Sequence, residues 1–533
     1  MSEEVAVTHG RLRGRVAEDT GIRSFLGVPY AKAPLGELRW RPPQAVEPWD
    51  GARDCLSFGP DAPQAGPAPT SLYSGGNGPQ SEDCLYLNVW TGPEGETGRP
   101  VMVWLHFGAF QFGSAANPNY DGEQLARQGA VVVSVNYRLG RLGFLAHPEL
   151  SAESGHGASG NYGLMDQIAA LEWVRDNIAR FGGDAGNVTV FGVSAGAHSV
   201  HCLRCSPLAE GLFHKAIAES GMGLSLPVEG DGDPAAMQSL EAAEDTGVEL
   251  AELVGAPTLV ELRALSLDRL LEPQLPRTAG PWGLDFLPPG ATVGLAIFDA
   301  GYPVIDGYVL PRAPVEVYRA GEQHPMPMLT GTAGNESSGL PFIGDSAVFQ
   351  AEVESSFGPL AGEVLELYPA DDQTRYNSGR LLSDRMFTWG TWTAARLQAE
   401  HAREPVFYYR FLHEPPLPDG VEIVERANAR AFHSAEVNYV FGSFAARDWP
   451  WDARDEELGR LVSAYWLNFA RSGDPNGDGL PEWPRLSPRE PSTMFLELPV
   501  HTGDLPDRER LAFWDRFYAQ WRGFRTDLTV KAS

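Results

Sequence analysis

The sequence predicts an α/β fold in which a large, mostly parallel sheet is covered by helices on both faces. Apolar, β-branched runs alternate along the chain with longer segments of helical periodicity, and strands separated by helices generally pair in parallel. A serine between two glycines also stands where one such strand meets one such helix. No internal repeat or low-complexity linker divides the chain, so we expect one domain over residues 1–533.

The predicted elements follow from these patterns in chain order. Residues 5–49 alternate short apolar runs with turns and predict antiparallel strands, whereas residues 59–80, rich in Gly, Pro and Ser, predict a long loop. Buried strands are predicted at 85–90, 101–105, 131–135, 187–190, 326–330 and 406–411. Helices are predicted at 167–181, 195–203, 240–253, 458–471 and 508–521, the first because Ile168, Leu171, Val174 and Ile178 share one face.

The composition argues against two classes of partner. The chain has 41 Lys and Arg against 70 Asp and Glu, a formal net charge of −29, which disfavours nucleic acids and anionic membrane surfaces. No run of about 18 uncharged apolar residues is present that could span a membrane. The first residues lack the basic and apolar regions of a signal peptide, and four cysteines are too few for a disulfide scaffold. We therefore expect free thiols and a cytoplasmic protein.

One cluster contains residues of the types that bind zinc, but its spacing does not suit a metal ion. His198, His201, Cys202 and Cys205 are spaced to share one helical face. A helix rises about 1.5 Å per residue, so the first and last of them are about 10 Å apart along the axis. Zinc ligands must all lie within about 2.3 Å of one ion, which a single helix cannot arrange for four residues. We expect a packed core face and no metal site.

The most informative motif is G-x-S-x-G over residues 192–196, with Ser194 at its centre. β-Branched residues precede it and predict a buried strand, and small or apolar residues follow it and predict a helix. A serine on a tight turn between strand and helix is lifted out of the sheet, where a base can reach its hydroxyl. The glycines permit the close approach of backbone that such a turn requires. The context indicates a nucleophile.

A serine nucleophile also needs an oxyanion hole, a base and an acid that orients the base. The strand predicted at 101–105 ends in a glycine-containing turn, residues 106–110, whose N–H groups can point at a carbonyl oxygen. The N–H of Ala195, at the start of the next helix, is a further donor. The residue patterns alone leave the base open among four histidines, His401, His413, His433 and His501. They leave the acid open among all 70 carboxylates.

The chain resembles the type-B carboxylesterase, or cholinesterase-like, family of α/β-hydrolases, and in particular bacterial carboxylesterases of the para-nitrobenzyl-esterase type. The resemblance runs from about residue 7 to about residue 521 and rests on many ordered motifs. They are FLGVPYA at 25–31, SEDCLYLNV at 81–89, NYRLG at 136–140, NYGLMDQ at 161–167, FGGD at 181–184, PVIDG at 303–307, GTAGNE at 331–336, FHSAE at 432–436 and WLNFARSGDPN at 466–476.

The resemblance implies a serine hydrolase that cleaves carboxylic esters through an acyl-enzyme. By motif position, Ser194 is similar to the family's nucleophile, Glu336 to its acid and His433 to its base, in the chain order expected of α/β-hydrolases. The expected substrate is a small-molecule ester, and no cofactor or metal is required. The oligomeric state is left open, with a monomer or a weak dimer expected.

The resemblance also implies the surroundings of the site. An α/β-hydrolase fold is expected, with helical insertions around an active-site gorge at approximately 222–300 and 341–400. The family's oxyanion donors correspond to the backbone N–H groups of Gly108, Ala109 and Ala195. Two buried ion pairs with a structural role are implied as well, Arg39 with Glu82 and Arg138 with Asp166.

Several positions depart from the family pattern. Val193 replaces the usual Glu before the nucleophile, and Phe107 replaces a usual Gly in the oxyanion loop. We expect both, together with Phe110, to contact substrate as an apolar wall. No Trp precedes Ser81 where cholinesterases bind a cation, so neutral aryl or short-to-medium acyl esters are expected substrates. Ala62 stands where the family often has a cysteine, which leaves Cys84 without its usual partner.

Two alternatives remain at this point. A carbamate or amide hydrolase would use the same three side chains, and the bulky Phe107 and apolar Val193 are compatible with it. A non-catalytic binding protein could also be built on this fold. The presence of all three expected catalytic residues argues against the second alternative.

Overall fold

The predicted α/β class is confirmed by a large sheet that helices flank. The computed structural model describes residues 2–67, 70–75, 78–221, 237–272, 301–338, 343–401, 404–423 and 429–522. Within these ranges the chain forms a sheet of 13 strands. The strands are β1 Ser2–Val7, β2 Gly10–Val16, β3 Arg23–Pro29, β4 Ala52–Asp54, β5 Tyr86–Thr91, β6 Arg99–Leu105, β7 Val131–Val135, β8 Gly183–Val193, β9 Lys215–Glu219, β10 Met328–Ala333, β11 Val406–Phe411, β12 Ser492–Leu496 and β13 His501–Asp504.

Parallel pairing runs through the centre of the sheet, and β4 also lies parallel to β2 near one edge. The strand order is β1-β2-β3-β5-β7-β6-β8-β9-β10-β11-β12-β13, with β4 beside β2. Neighbours from β7 through β12 run parallel. The path from β1 to β7 and the pair β12–β13 are antiparallel, so the sheet is mixed. The antiparallel strands predicted for residues 5–49 form one of these edges.

Sixteen α-helices lie in the described ranges. They are α1 Glu123–Arg127, α2 Gly140–Phe144, α3 Pro148–Glu153, α4 Tyr162–Asn177, α5 Ala195–Cys205, α6 Leu240–Leu253, α7 Leu259–Ala264, α8 Leu267–Leu271, α9 Pro314–Ala320, α10 Ser346–Phe357, α11 Ala361–Leu367, α12 Thr374–Ser383, α13 Trp389–His401, α14 Val437–Phe441, α15 Ala453–Ser472 and α16 Arg508–Arg522. A π-helical turn, Asp384–Thr388, joins α12 to α13. Among the helices in the described ranges, none is long and apolar enough to cross a bilayer.

The two faces of the sheet are covered by different helices. Val101, Val103 and Leu105 of β6 pack into a core that α4, α5 and α16 share. Met102 and Trp104, which point the other way, pack into a second core with α14 and α15. Because side chains alternate along a strand, a strand buried on both faces must be apolar throughout, and β6 is fully buried.

Helix ends differ from the predicted ones where capping rather than apolar spacing sets them. α15 begins five residues before the predicted 458–471 helix, because the Asp452 side chain accepts from the N–H groups of Arg454 and Asp455. The helix stops at Gly473, whose φ of +79° an L-residue adopts only with strain. Polar capping residues carry no apolar periodicity, so the periodicity ends short of the true helix.

Helical segments occur in both predicted insertions. Helices α6 to α8 lie between 222 and 300, where residues 222–236 and 273–300 are outside the described ranges. Helices α10 to α13 lie in or beside 341–400. That these segments surround a gorge stays a prediction.

The central parallel strands bring several loops to one edge of the sheet. The turn at 106–113 follows β6, Ser194 follows β8, Ser220 follows β9 and Glu336 lies just beyond β10. His433 lies in the long connection after β11. In open α/β sheets, ligands bind at the carboxyl ends of the strands, so the fold places these residues where a site is expected.

Candidate active site

Ser194 occupies a strained turn between β8 and α5. Its φ of 59° and ψ of −119° lie outside the regions that L-residues normally adopt. A Cβ at Gly192 or Gly196 would lie 2.5 or 2.0 Å from the carbonyl oxygen of Leu105, so neither position admits a side chain. The Ser194 N–H donates to the carbonyl of Glu219 at 2.9 Å, which ties the turn to β9. The motif therefore forms the strand–turn–helix elbow that it predicts.

Glu336 and His433 meet although 97 positions separate them in sequence. The Nδ1 atom of His433 is in hydrogen-bond contact with Oε2 of Glu336, which is almost fully buried. The His433 N–H donates to the Ser338 hydroxyl at 3.0 Å, and the ring of Phe387 packs on the imidazole with centroids 4.6 Å apart. These contacts fix the imidazole plane and leave Nε2 as its second polar atom.

Ser194 and His433 are not hydrogen-bonded to each other in this structure. Neither the Ser194 hydroxyl nor His433 Nε2 makes a hydrogen bond to any residue in the described ranges. In the absence of substrate, such contacts are often long and tighten only when substrate binds. Both residues are largely withdrawn from solvent: Ser194 is 8% exposed, and the His433 side chain is 12% exposed.

Ser220 is a site residue that the sequence reasoning missed. Its hydroxyl donates to Oε1 of Glu336 at 2.6 Å, and the N–H of Ala333 donates to the same oxygen at 2.6 Å. Ser220 has a φ of +52° and follows the short strand β9, which was not predicted. The only available signal was the Ser-Gly pair at 220–221, typical of a tight turn. The acid is therefore held by three donors, counting His433.

The turn after β6 has the geometry of an anion-binding loop. Gly108 has a φ of +123°, and a Cβ there would lie 1.8 Å from the carbonyl oxygen of Phe112. Ala109 has a φ of +53°. Within the described ranges, none of the N–H groups of Gly108, Ala109 or Ala195 donates to a protein acceptor. Gln64 clamps the far end of the loop by accepting from and donating to Gly113.

The three predicted apolar contacts are placed differently from one another. Phe107 lines a pocket that His433 also lines. Phe110 is fully buried and packs edge-on against Phe144 and Tyr302, so its ring has no surface to offer a substrate. Val193 is fully buried in the core that α14 and α15 share with the sheet. The substrate-contact role predicted for Phe110 and Val193 does not fit these placements, because both side chains serve the core.

The other three histidines considered as the base do not contact Glu336. His413 Nε2 contacts Oδ1 of Asp455 at 2.8 Å. His413 lines one cavity and His433 lines another. His501 stacks on Phe495 in the edge strand β13. His401 ends helix α13. Of the four histidines, the structure brings His433 to Glu336.

The histidines of α5 are packed into the core, as expected. His198 Nδ1 pairs with the Tyr302 hydroxyl at 2.7 Å, and His201 Nδ1 pairs with that of Tyr318 at 2.8 Å. Burial lowers the pKa of His198 to about 3, so the ring is neutral. No group of three or more His, Cys, Asp or Glu side chains arranged to hold a metal occurs in the described part of the chain.

Two further carboxyl groups are buried close to Glu336. Glu219 and Glu436 are both fully buried. Trp466 Nε1 donates to Glu219 at 2.7 Å, and the Tyr409 hydroxyl donates to Glu436 at 3.0 Å. The Oε2 atom of each has no partner in the described ranges. Burial raises the pKa of Glu219 well above its usual range, and burial together with the charge of Glu336 raises the pKa of Glu436 to about 7.

We expect Glu436→Gln to gain stability relative to wild type as pH rises from about 5 to about 8. An unfolded Glu releases its proton near pH 4.3, whereas burial holds the pKa of folded Glu436 at about 7. The wild type therefore loses stability over this interval, and a Gln does not. Thermal melts of both proteins at several pH values measure the difference in Tm.

The matched control for this prediction is Glu457→Gln, which removes an exposed carboxylate from α15. Its Tm difference from wild type should stay nearly constant with pH. Parallel pH profiles for wild type and Glu436→Gln would show that Glu436 titrates alike in the folded and unfolded states.

Comparison with known proteins identifies the family. The sequence profile of the carboxylesterase family matches residues 1–359 and 360–514. The chain belongs to the carboxylesterase family. Fumonisin B1 esterase of Sphingopyxis macrogoltabida is 36% identical over 484 residues, which cover 88% of this chain and 82% of that protein. Para-nitrobenzyl esterase of Bacillus subtilis (strain 168) is 33% identical over 528 residues, covering 96% of this chain and 98% of that one.

Solved structures agree with this assignment. A structure titled PNB esterase superposes with a TM-score of 0.79 at 30% identity, covering 96% of this chain and 99% of the other. The carboxylesterase is therefore an α/β-hydrolase, and its activity is hydrolysis of carboxylic esters. The resemblance to para-nitrobenzyl esterases stated from the sequence motifs is confirmed.

Two structural expectations for a carboxylesterase are also confirmed. Arg39 and Arg138 each make a two-pronged ion pair, with Glu82 at 2.6 and 2.7 Å and with Asp166 at 2.7 Å. All four cysteines are buried free thiols, and Ala62 lies in the same small cavity as Cys84, where a bridging cysteine would stand. The compartment in which the carboxylesterase works stays a prediction.

Proposed function

We propose that this carboxylesterase cleaves esters through an acyl-enzyme on Ser194. His433 Nε2 accepts the serine proton as the hydroxyl attacks the ester carbonyl, and then donates it to the departing alcohol. Glu336 holds Nδ1–H and stabilises the imidazolium that forms. Water, activated by the same imidazole, releases the acid. The observation that carries the proposal is the Glu336–His433 contact at the same sheet edge as the strained Ser194 turn.

The N–H groups of Gly108, Ala109 and Ala195 stabilise the oxyanion in this proposal. Positive φ values at Gly108 and Ala109 turn the backbone of the loop, and Ala195 is the first residue of a helix, where the N–H has no partner inside the helix. Removal of one such donor typically costs an enzyme about 3–4 kcal/mol of transition-state stabilisation. No metal or other cofactor takes part in any step.

We propose that the substrates are neutral aryl or short-to-medium acyl esters rather than choline esters. The pocket beside His433 presents Tyr73, Phe107 and Trp449, but the guanidinium of Arg447 already lies 4.8 Å from the centroid of the Trp449 ring. That aromatic face is therefore unavailable to a substrate cation, and the nearby positive charge repels one.

A substrate panel tests this proposal. Butyrylthiocholine and its uncharged carbon isostere, S-(3,3-dimethylbutyl) thiobutyrate, have the same shape and the same acyl group. We expect kcat/KM to favour the uncharged thioester by about 3- to 30-fold at physiological salt, the range of one lost cation–π contact. A clear preference for the choline ester would contradict the proposed substrate class.

The panel also separates the ester reaction from the alternatives. p-Nitrophenyl butyrate should be turned over rapidly, whereas an aryl carbamate and a butyranilide of similar size should react far more slowly. Faster turnover of the carbamate or anilide would assign the same three residues to a different natural reaction.

A further inference from the structure

The pocket beside His433 combines apolar walls with one partly buried cation, Arg447. It is a small cavity of about 20 Å³ with an open mouth. Apolar side chains form most of its lining: Leu72, Tyr73, Phe107, Phe432, Val437 and Trp449. Among the described residues, its polar lining includes Asn119, Ser434 and Arg447 and contains no Asp or Glu.

Arg447 has no carboxylate partner within ion-pair distance in the described ranges. Nε donates to the Asn119 side chain at 2.7 Å, and Nη2 donates to the carbonyls of Leu72 at 2.9 Å and Ser74 at 3.4 Å. Nη1 takes part in none of these bonds. Burial lowers the pKa of Arg447 to about 10. Withdrawing a guanidinium partly from water without a counter-ion is costly unless a ligand supplies one.

Ser434 provides a second, independent unsatisfied donor in the same pocket. The residue is 8% exposed, and its hydroxyl is buried without a hydrogen-bond partner in the described ranges. Its backbone φ of +68° is strained for a residue with a side chain. A native protein seldom leaves a buried hydroxyl unpaired, and those that are unpaired often belong to functional sites. Arg447 and Ser434 are both donors, so the ligand they suit is an acceptor with negative charge.

We propose that this pocket is a carboxylate subsite, in which Arg447 and Ser434 bind a free carboxylate on the ester that Ser194 attacks. The inference rests on the proposed function and adds to its neutral substrates a second class, esters that carry one free carboxylate. A guanidinium binds a carboxylate more strongly than it binds a neutral group, since both partners are charged. The apolar walls exclude water from that contact and strengthen it.

The net charge of −29 does not oppose this proposal at short range. It repels anions at a distance, but salt screens such repulsion beyond about 8–10 Å. Arg447 also anchors the backbone of Leu72 and Ser74, on either side of Tyr73. That anchoring role acts equally on charged and neutral substrates, so a comparison of the two distinguishes it from charge recognition.

The experiment compares carboxylate esters with their carboxamide counterparts, which differ in charge but scarcely in shape. One pair, mono-p-nitrophenyl adipate and its terminal amide, carries the group on the acyl side. The other, 3-acetoxybenzoate and 3-acetoxybenzamide, carries it on the alcohol side. We expect the wild type to favour the carboxylate in kcat/KM by about tenfold or more in at least one pair.

Variants then assign the preference to particular residues. Arg447→Gln should lower the carboxylate-to-amide ratio by about tenfold or more, and Arg447→Lys by less, because Lys keeps the charge without the planar fork. Ser434→Ala should lower the ratio by about fivefold while keeping Arg447 and its anchoring bonds. Arg454→Gln, which removes an exposed positive charge nearby in sequence, should leave the ratio unchanged.

Two results would overturn the proposal. One is a wild type that favours neither carboxylate. The other is a ratio that stays constant in Ser434→Ala and in both Arg447 variants, even if all rates fall together. Hydrolysis of the amide esters by the wild type reports on the Ser194 mechanism separately, so a failure of the subsite is distinguishable from a failure of the proposed function.

Discussion

Replacing Ser194 by alanine should lower kcat for a p-nitrophenyl ester by about 10⁴-fold or more, with the fold intact. The hydroxyl forms the bond to the acyl group, and no other side chain takes over that bond. The alanine loses little packing, because the replacement removes only one oxygen atom. Steady-state kinetics and a thermal melt of the purified variant measure the two parts of this prediction.

The matched control for this variant is Ser199→Ala, one turn further along α5. Ser199 is fully buried and accepts a hydrogen bond from Gln167 at 3.0 Å, so it serves the core. We expect a lower Tm and largely retained turnover in this variant. Substantial activity in Ser194→Ala, well above the spontaneous rate, would exclude an acyl-enzyme at this residue.

His433→Ala should reduce kcat/KM almost as much as Ser194→Ala. Without the imidazole, the serine proton has no acceptor and the leaving alcohol has no donor, and triad members act as a unit whose losses are not additive. The contact between His433 Nδ1 and Glu336 motivates the choice of this histidine. Kinetics with a p-nitrophenyl ester, at a pH where an imidazole is neutral, measure the loss.

His413→Ala is the control for that variant. His413 also pairs with a carboxylate, that of Asp455 at 2.8 Å, and also lines a cavity, but it stands apart from Ser194. It should keep most of the activity. If instead His413→Ala were inactive and His433→Ala near normal, the base would be assigned to the wrong histidine.

The sequence predicted the parts of this molecule that depend on local pattern. Continuous apolar runs such as 131–135 and 406–411 became the central strands with the expected bounds, because burial on both faces requires apolar residues throughout. The G-x-S-x-G motif predicted the elbow, because only glycine fits 2.0–2.5 Å from the Leu105 carbonyl. Short strands at or next to the sheet edge, such as β13 and β12, carry too few residues to show a period.

Contacts between distant segments were not accessible from local pattern. The residues alone left four histidines and 70 carboxylates open, since nothing within a window of sequence joins Glu336 to His433. Family resemblance resolved these two positions. It did not reveal Ser220, whose bond to Glu336 depends on how β9 and β10 pair, nor the full burial of Phe110. Phe107, Phe110 and Val193 were expected to form one apolar wall, but tertiary packing sends them to different surroundings.

The most direct measurement of the central claim is the site at which the enzyme becomes acylated. A fluorophosphonate reacts with an activated serine and stays bound, so mass spectrometry of the proteolysed adduct locates the nucleophile. We predict one adduct per chain on the peptide that contains Ser194, with loss of activity in step with labelling. The Ser194→Ala variant should remain unlabelled, and labelling should be slow in His433→Ala. An adduct on another residue, or full esterase activity after complete labelling of Ser194, would contradict the account.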